Sequence, residues 1–533
     1  MVDILADMNL RDLWENAAVT YHNKTFFIFQ GRNGATLEYS YREFNDEINR
    51  TANLMLELGV EKEERVAVQL ENSPEFLMCL FGLAKIGAII VPIHRKASLA
   101  ESRHFINTCG ARLAVIEETM CAGYRELLDD PQLSLCRTLL TRCKENIVGT
   151  DASASADART GESMNHLCFD LLKDAQPAQL TVTRPLDGSD IAEIIFTSGT
   201  TSQPKGVMLT HANFIFSGVY SIWQTSMRDD DRLLTTMPAC HSNFQLAALP
   251  PVLVAGATLI LLEHYSARCF WSEIRKYRAT LTQCVSMMVR TLLMQEVNHN
   301  EQDHCLRDVL YFLPLSDVEK HTFESRFRTR LLNSYGSTES VGWVITDPPY
   351  GQRRWPSVGR VGLGYEARIT GDDGRELLPY ETGEIQIKGV RGRSIMAGYY
   401  DDEEETAAVF DEEGWMRTGD KGYCDEDGWF YFVDRKVNLI KRAGENISAS
   451  EIETVLSTYP GVAEVAVIGV SDPIRDEAVK AFIVPQKGVP ITPEDILEYS
   501  RKNLAEYKVP SYVEIKSSLP HTCSMKIEKK LLF

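Results

Sequence analysis

The sequence predicts an α/β protein in two parts. The first is a large N-terminal domain of several α/β subdomains with a β-rich subdomain, and the second is a small α+β C-terminal domain. The chain has 533 residues, more than one hydrophobic core usually supports. Helical and strand patterns alternate over residues 1–140 and again from Ile191, as in parallel α/β layers. After about Trp355, short strands separated by glycine-containing turns replace this alternation.

Hydrophobic periodicity places the individual elements. In the N-terminal part we predict helices at Tyr41–Leu58 and Pro74–Ile86, and strands at Arg65–Leu70 and Ala88–Pro92. Residues 149–163 are polar and rich in Ala, Ser and Asp, which predicts a surface loop.

The β-rich subdomain and the C-terminal domain have patterns of their own. We predict β-rich strands at Gly383–Gly389 and Gly428–Val433, and then a helix near Ser450–Ser457 with strands near Val462–Val470 and Val479–Pro485. The boundary is predicted near Asp434–Asn438, which gives domains at 1–434 and 435–533.

The composition excludes some classes of protein. Hydrophobic residues make up 44% of the chain and charged residues 25%, which is ordinary for a globular enzyme. The formal net charge of −19 disfavours a nucleic-acid partner, because phosphate binding needs concentrated Lys and Arg. A few local donors could still bind a nucleotide.

Nothing in the sequence predicts a membrane span or a disulfide framework. The uncharged run Gln245–Leu262 is interrupted by two prolines and Gly256, so we interpret it as a buried helix followed by a strand. The N-terminus lacks the pattern of a signal peptide. The twelve cysteines contain no CxxC pair, so we expect a reducing, cytoplasmic location. The oligomeric state stays open.

A glycine-rich loop at 194–206 is the most informative segment, with the sequence IIFTSGTTSQPKG. Glycine allows backbone conformations that other residues resist, hydroxyls and N–H groups can surround an anion, and lysine adds positive charge. The Walker A pattern is absent, which disfavours a P-loop ATPase. An ordinary Ser/Thr/Gly turn is the alternative. The candidate phosphate-binding residues are Thr197, Ser198, Gly199, Thr200, Thr201 and Lys205.

The complete string [ST]SG[ST]TxxPKG resembles the signature of the adenylate-forming superfamily, which includes acyl–CoA synthetases, peptide-synthetase adenylation domains and beetle luciferases. The resemblance extends over essentially the whole chain. It implies a mobile C-terminal domain, and ATP, Mg²⁺ and coenzyme A as the cofactor and substrates.

The segment Ser334–Glu339, SYGSTE, resembles the superfamily's YGxTE motif. The resemblance implies that Tyr335 stacks on adenine, that Thr338 contacts the α-phosphate and that Glu339 ligates Mg²⁺. Magnesium favours carboxylate and phosphate oxygens, which fits this assignment. A turn without a ligand is the alternative.

Two further motifs imply a ribose site. Asp420 lies in a TGD sequence whose aspartate binds both ribose hydroxyls in the family, and a carboxylate suits a cis-diol. Arg435 lies in a DR motif at the family's interdomain hinge and also reaches the ribose. The family usually has Asp or Lys where this chain has Val437.

The CoA side of the site is implied by two segments. Lys441 and Gly444 match a segment that lines the pantetheine tunnel, where a Cβ would narrow the passage. A turn glycine is the alternative. His241 matches a histidine that separates the acyl pocket from that tunnel, although the preceding aromatic residue is Cys240 here.

Lys526 matches the C-terminal lysine that bridges the carboxylate and the α-phosphate during adenylation. The glycine before it is Met525 here, and the arginine three residues after it is Lys529. In the family the small domain rotates between the two steps, so that Lys526 is exchanged for the face bearing Gly444.

These assignments imply that a small carboxylic acid is activated as an acyl-adenylate and transferred to CoA, with release of pyrophosphate and AMP. The bulky segment Tyr311–Leu315 replaces a glycine-rich pocket wall and argues against long fatty chains. Segments such as Ala84–Ile93 and Arg353–Arg360 resemble those of enterobacterial crotonobetaine/carnitine–CoA ligases, and this resemblance implies a betaine substrate. Trp343, Trp223 and Tyr220 are candidates for cation recognition.

Four alternatives stay open at this point. They are a short- or medium-chain acyl–CoA synthetase for an uncharged acid, an adenylation enzyme that loads a carrier protein, a luciferase-like oxygenase, and a non-catalytic nucleotide-binding relative.

Overall fold

The structure is a computed structural model that describes residues 8–142, 166–197, 204–312, 315–435, 439–442, 445–472, 476–504, 508–522 and 526–532. The loop predicted at 149–163 lies outside these residues. In the part that the structure describes, no helix is long and apolar enough to cross a membrane.

The helices are mostly short. In chain order they are α1 Leu10–Tyr21, α2 Tyr41–Glu57, α3 Pro74–Ile86, α4 Leu99–Cys109, α5 Cys121–Leu128, α6 Phe169–Asp174, α7 His211–Thr225, α8 Ser242–Ala247, α9 Leu249–Ala255, α10 Phe270–Lys276, α11 Ser286–Leu293, α12 Asp317–Phe327, α13 Glu403–Val409, α14 Ala449–Ser457 and α15 Pro493–Asn503.

The strands belong to four sheets. In chain order they are β1 Thr25–Gln30, β2 Thr36–Ser40, β3 Arg65–Gln69, β4 Ile89–Pro92, β5 Leu113–Glu117, β6 Arg137–Thr141, β7 His166–Cys168, β8 Ile191–Thr197, β9 Lys205–Thr210, β10 Arg232–Thr235, β11 Thr258–Leu262, β12 Leu281–Val285, β13 Asp308–Phe312, β14 Leu331–Ser337, β15 Gly342–Thr346, β16 Arg360–Val361, β17 Glu366–Thr370, β18 Gly383–Lys388, β19 Gly398–Tyr399, β20 Met416–Cys424, β21 Phe430–Arg435, β22 Leu439–Arg442, β23 Glu445–Ser448, β24 Val462–Asp472, β25 Asp476–Pro485 and β26 Tyr512–Ile515.

Two large sheets form the N-terminal part, with strand orders β16-β15-β14-β13-β12-β10-β11-β1-β2 and β19-β9-β8-β4-β3-β5-β6-β7. Their central strands are parallel, which confirms the predicted α/β class. Antiparallel strands close the edges, among them the hairpin of β8 and β9. The largest buried cluster joins residues from both sheets and from α7, α8 and α9.

The other two sheets are smaller. β17, β18, β20 and β21 form an antiparallel sheet, as the glycine-rich turns after Trp355 predict. The fourth sheet, β23-β22-β25-β24 with β26 beside β25, packs on α14 and α15 over its own core. The third sheet ends at Arg435 and the fourth begins at Leu439. The domain limits at 434 and 435 stay a prediction.

Local sequence explains the bounds of several elements. The side chain of Ser73 accepts a hydrogen bond from the Phe76 amide at the start of α3, and Gly87 ends that helix in the left-handed region. The run from 245 to 262 forms the end of α8, then α9 and the fully buried β11. Gly256, at φ +71°, makes the turn between α9 and β11.

Candidate active site

The glycine-rich loop connects the two strands of a hairpin. Thr197 is the last residue of β8 and pairs with Lys205, the first residue of β9. The structure therefore brings these two candidates together at one edge of the second sheet. Ser198, Gly199, Thr200 and Thr201 lie outside the described residues.

Lys205 links the loop to the candidate metal ligand. Its ammonium group forms an ion pair with the Glu405 carboxylate and lies 5.1 Å from the centre of the Tyr399 ring. The Tyr399 hydroxyl donates a hydrogen bond to Glu339 Oε1 over 3.3 Å. Burial, together with the Glu339 charge, raises the pKa of Tyr399, so the hydroxyl keeps its proton and stays a donor.

The residues assigned to adenosine also lie together. The Tyr335 hydroxyl donates to Asp420 Oδ2 over 2.7 Å, and Asp420 on β20 is paired with Arg435 on β21. Gly336 must be glycine, because a Cβ there would come within 1.7 Å of the Gly342 carbonyl oxygen. This close approach of β14 and β15 fixes the backbone between Tyr335 and Thr338.

Thr338 and His241 meet at the start of α8. The Thr338 hydroxyl donates to Ser242 Oγ over 3.0 Å, and both side chains are buried. His241 caps α8, because its Nδ1 accepts a hydrogen bond from the Asn243 amide over 3.2 Å. The candidate α-phosphate contact and the candidate gate therefore share one helix N-terminus, which is an environment that favours negative charge.

The C-terminal domain places Lys526 on the side of the site where His241 begins α8. Burial, followed by the charge of Lys526, lowers the pKa of His241 to about 4, so the imidazole is neutral at pH 7. Lys526 therefore lies within electrostatic reach of His241, although its own side chain is exposed. Its backbone exchanges hydrogen bonds with Thr522, with Lys526 N donating to Thr522 Oγ1 over 3.2 Å.

The candidates on the CoA side are only partly described. Lys441 pairs with Asn446 in the β22–β23 hairpin, and Gly444, Val437 and Met525 lie outside the described residues. Lys529, which replaces an arginine of the family motif, forms an ion pair of 2.8 Å with Glu453. That substitution therefore keeps a cation that tethers the C-terminal segment to α14.

The segment next to the predicted hinge contains an interaction that the motifs did not predict. Asp434 Oδ2 accepts hydrogen bonds from Ser448 Oγ and from the Ser450 amide, each over 3.0 Å. Ser448 Oγ in turn caps α14 by accepting from the Glu451 amide. The last strand of the third sheet is thus bonded to the first helix of the C-terminal part.

The described residues contain no group of three His, Cys, Asp or Glu side chains that could hold a metal ion. Glu339 provides a single half-buried carboxylate beside the loop that is assigned to phosphates. This arrangement fits Mg²⁺, which is usually held by one or two carboxylates together with phosphate oxygens and water.

The aromatic candidates differ in their surroundings. Tyr220 is buried and its hydroxyl donates to the Val344 carbonyl over 3.1 Å, so it belongs to the core. Trp223, one turn further along α7, is 37% exposed, and its ring lies 5.5 Å from that of Tyr220. Trp343 is buried against Phe312 with a ring distance of 5.0 Å, and it is the aromatic candidate that remains for an acyl pocket.

Comparison with known proteins identifies the class. A family model described as AMP-binding enzyme matches residues 14–400, and one for the AMP-binding enzyme C-terminal domain matches residues 451–526. The chain therefore belongs to the AMP-binding enzyme family, which confirms its resemblance to adenylate-forming enzymes.

Individual relatives are similar over their full length. The chain is 46% identical over 534 residues to a crotonobetaine/carnitine–CoA ligase of Citrobacter koseri, with 100% of both chains covered. A ligase of the same name from Escherichia coli O8 is 46% identical over 531 residues, again with full coverage of both chains.

Solved structures share the fold. ATP-bound MatB from Rhodopseudomonas palustris has a TM-score of 0.83 at 24% identity, with 98% of each chain covered. The anthranilate–CoA ligase AuaEII in complex with anthranoyl-AMP has a TM-score of 0.85 at 22% identity, with 99% of this chain and 97% of that one covered.

Proposed function

We propose that this protein is an AMP-forming acid–thiol ligase that converts carnitine, crotonobetaine or γ-butyrobetaine into its CoA thioester. The observation that carries the proposal is the 46% identity to crotonobetaine/carnitine–CoA ligases over the full length of both chains. The grouping of the motif residues around one site supports it.

In the first step the substrate carboxylate attacks the α-phosphate of ATP and pyrophosphate leaves. Both reactants are anions, so the step needs positive charge fixed where negative charge accumulates. Lys526 and Lys205 would supply this charge, Thr338 would contact the α-phosphate, and Tyr335 with Asp420 and Arg435 would hold adenosine. Mg²⁺ bound at Glu339 would neutralise phosphate charge.

In the structure the Tyr335 hydroxyl donates to the carboxylate assigned to the ribose. A ribose diol would compete for that carboxylate, and the tyrosine would be released to stack on adenine. Lys205 would likewise exchange Glu405 for phosphate oxygens. Nucleotide binding would thus replace a hydrogen bond and an ion pair within the chain by contacts of the same type with the nucleotide.

In the second step the CoA thiol attacks the acyl carbonyl and AMP leaves. A neutral His241 suits the assigned gate, because a neutral ring beside a thioester pocket attracts no competing anion. Rotation of the C-terminal domain would withdraw Lys526 and bring Lys441 and Gly444 to the pantetheine. Since ATP and CoA are cytoplasmic metabolites, we place the enzyme in the cytoplasm.

The test is a panel of small carboxylic acids with ATP, Mg²⁺ and CoA, in which the thioesters and AMP are detected by mass spectrometry. The key pair is crotonobetaine and its uncharged isostere 5,5-dimethylhex-2-enoate. A higher kcat/KM for crotonobetaine supports the proposal. A preference for the neutral acid would indicate a generic short-chain synthetase, and AMP formation without a CoA thioester would indicate an enzyme that loads a carrier protein.

A further inference from the structure

A buried carboxyl group that the motifs do not use lies behind the candidate site. Glu193 is in the middle of β8, four residues before Thr197, and its side chain is 0% exposed. Because side chains alternate along a strand, Glu193 shares a face with Ile195 and Thr197. That face belongs to the large core cluster, which also contains α8.

Burial raises the pKa of Glu193, and a side-chain hydrogen bond with Gln245, on α8, lowers it in part, which places the amide beside the carboxyl group. Gln245 is also 0% exposed. Among the described residues, neither carboxyl oxygen of Glu193 and neither amide atom of Gln245 has a hydrogen-bond partner of ordinary geometry. A carboxyl group and an amide that meet only in poor hydrogen-bond geometry remain under-satisfied in an apolar core, and such groups call for a ligand or another role.

The position of this pair relative to the reacting centre is set by α8. His241 caps this helix, Ser242 contacts Thr338, and Gln245 follows His241 by four residues, which is one helical turn on the same face. One turn spans about 5.4 Å. The four bonds between the carboxyl carbon and the quaternary nitrogen of a four-carbon betaine span about 5 Å. The distance from His241 to Gln245 along α8 therefore matches the length of such a substrate.

We propose that Glu193 and Gln245 form the end of the acyl pocket that receives the quaternary ammonium of the substrate, with the Glu193 carboxylate as its counter-ion. This inference rests on the proposed betaine substrate. A trimethylammonium group cannot donate a hydrogen bond, so a carboxylate or an aromatic face must recognise it. The Gln245 carbonyl oxygen adds a second negative dipole at the same place.

The burial of Glu193 fits this role. Burial raises the pKa of Glu193 well above its usual range, so without a ligand the carboxyl group holds its proton. A cation placed beside it favours the ionised form. Binding of a betaine would therefore release a proton from the enzyme, and binding of an uncharged acid would not.

The variant to measure is Glu193→Gln, which keeps the shape of the side chain and removes its ionisation. We expect kcat/KM for crotonobetaine to fall by about 10- to 100-fold, mainly through KM, while the value for 5,5-dimethylhex-2-enoate is unchanged or rises. Glu75→Gln is the matched control, because Glu75 also has a buried carboxyl oxygen without a partner but lies on α3, outside the site. It should leave both values unchanged.

An equal fall for both acids in Glu193→Gln would overturn the inference and indicate a structural role, and unchanged values for both would overturn it as well. A second measurement needs no variant. Calorimetry of the wild type in buffers of different ionisation enthalpy should show about one more proton released with crotonobetaine than with the isostere. Equal proton release would also refute the role of Glu193.

The proposed function can fail separately. If the wild-type enzyme does not use betaines, the proposed substrate class is wrong. If the wild-type enzyme prefers crotonobetaine and the Glu193→Gln variant keeps the same preference, the proposed substrate stands and only the assignment of Glu193 as counter-ion is wrong.

Discussion

Replacement of Lys526 by alanine should separate the two half-reactions. The side chain is exposed, so its removal leaves no cavity in the core. The hydrogen bonds with Thr522 involve the backbone of Lys526 and survive the change. We therefore expect the melting temperature to stay within the error of the wild type.

The magnitude follows from the position of the charge. Lys526 acts electrostatically on His241, which shares the N-terminus of α8 with the Thr338 contact. Loss of one preorganised charge at a reacting centre costs about 10²–10³-fold in rate, or about 2.7–4 kcal/mol. The assay is pyrophosphate release from crotonobetaine and ATP, compared with thioester formation from supplied acyl-AMP and CoA. The first should fall by this factor and the second should be largely spared.

Lys530→Ala is the matched control, because Lys530 is another exposed lysine in the same C-terminal segment. It should leave both half-reactions unchanged. Near-normal pyrophosphate release in Lys526→Ala would refute the assignment, and an equal loss in both half-reactions would show that the lysine acts on folding or domain position instead.

Three further changes test other parts of the molecule. Gly444→Leu should block transfer to CoA and spare acyl-AMP formation, and loss of both half-reactions would show that Gly444 is needed for folding. Gly336→Ala should lower ATP affinity and the melting temperature together, because its Cβ would meet the Gly342 carbonyl at 1.7 Å, and an unchanged nucleotide titration would contradict this. Glu193→Gln should raise the melting temperature at pH 7 but not at pH 4. The folded-state pKa of Glu193 lies above the usual 4.5, so folding binds a proton at higher pH. The free energy of unfolding of the wild type therefore falls as the pH rises above 4.5, and the variant, which has no carboxyl group here, does not lose this stability. A difference in melting temperature that does not change with pH would contradict the assignment.

The sequence was sufficient for features that depend on local pattern. α3 spans Pro74–Ile86 as predicted, and α2 begins at Tyr41, because a capping residue and a continuous hydrophobic period define each helix. The glycine-rich segment was also predicted correctly to follow a strand, since β8 ends at Thr197. Short motifs likewise gave the candidate residues, although their roles stay predictions.

Contacts between distant parts of the chain could not be predicted in this way. Ser242 meets Thr338 across 96 positions of sequence, and Glu405 meets Lys205 across 200. Neither Ser242 nor Glu405 belongs to a motif, so only the packing of the sheets identifies them. The same limit applies to Tyr220 and Trp223. Their rings touch one turn apart on α7, yet Tyr220 is buried and bonded to Val344 while Trp223 is partly exposed, and only the packing of the rest of the chain decides this.

The bonds of Asp434 have a consequence for the domain rotation. The rotation proposed for the second step would break the hydrogen bonds from Ser448 and Ser450 to this carboxylate. Hydrogen bonds to a charged group are worth about 1.5–3 kcal/mol each. If the proposed rotation takes place, these hydrogen bonds therefore favour the arrangement that holds Lys526 near His241. A ligand would make the rotated form dominant only by binding it more tightly by at least this free energy, and CoA is the reactant that we propose for this role.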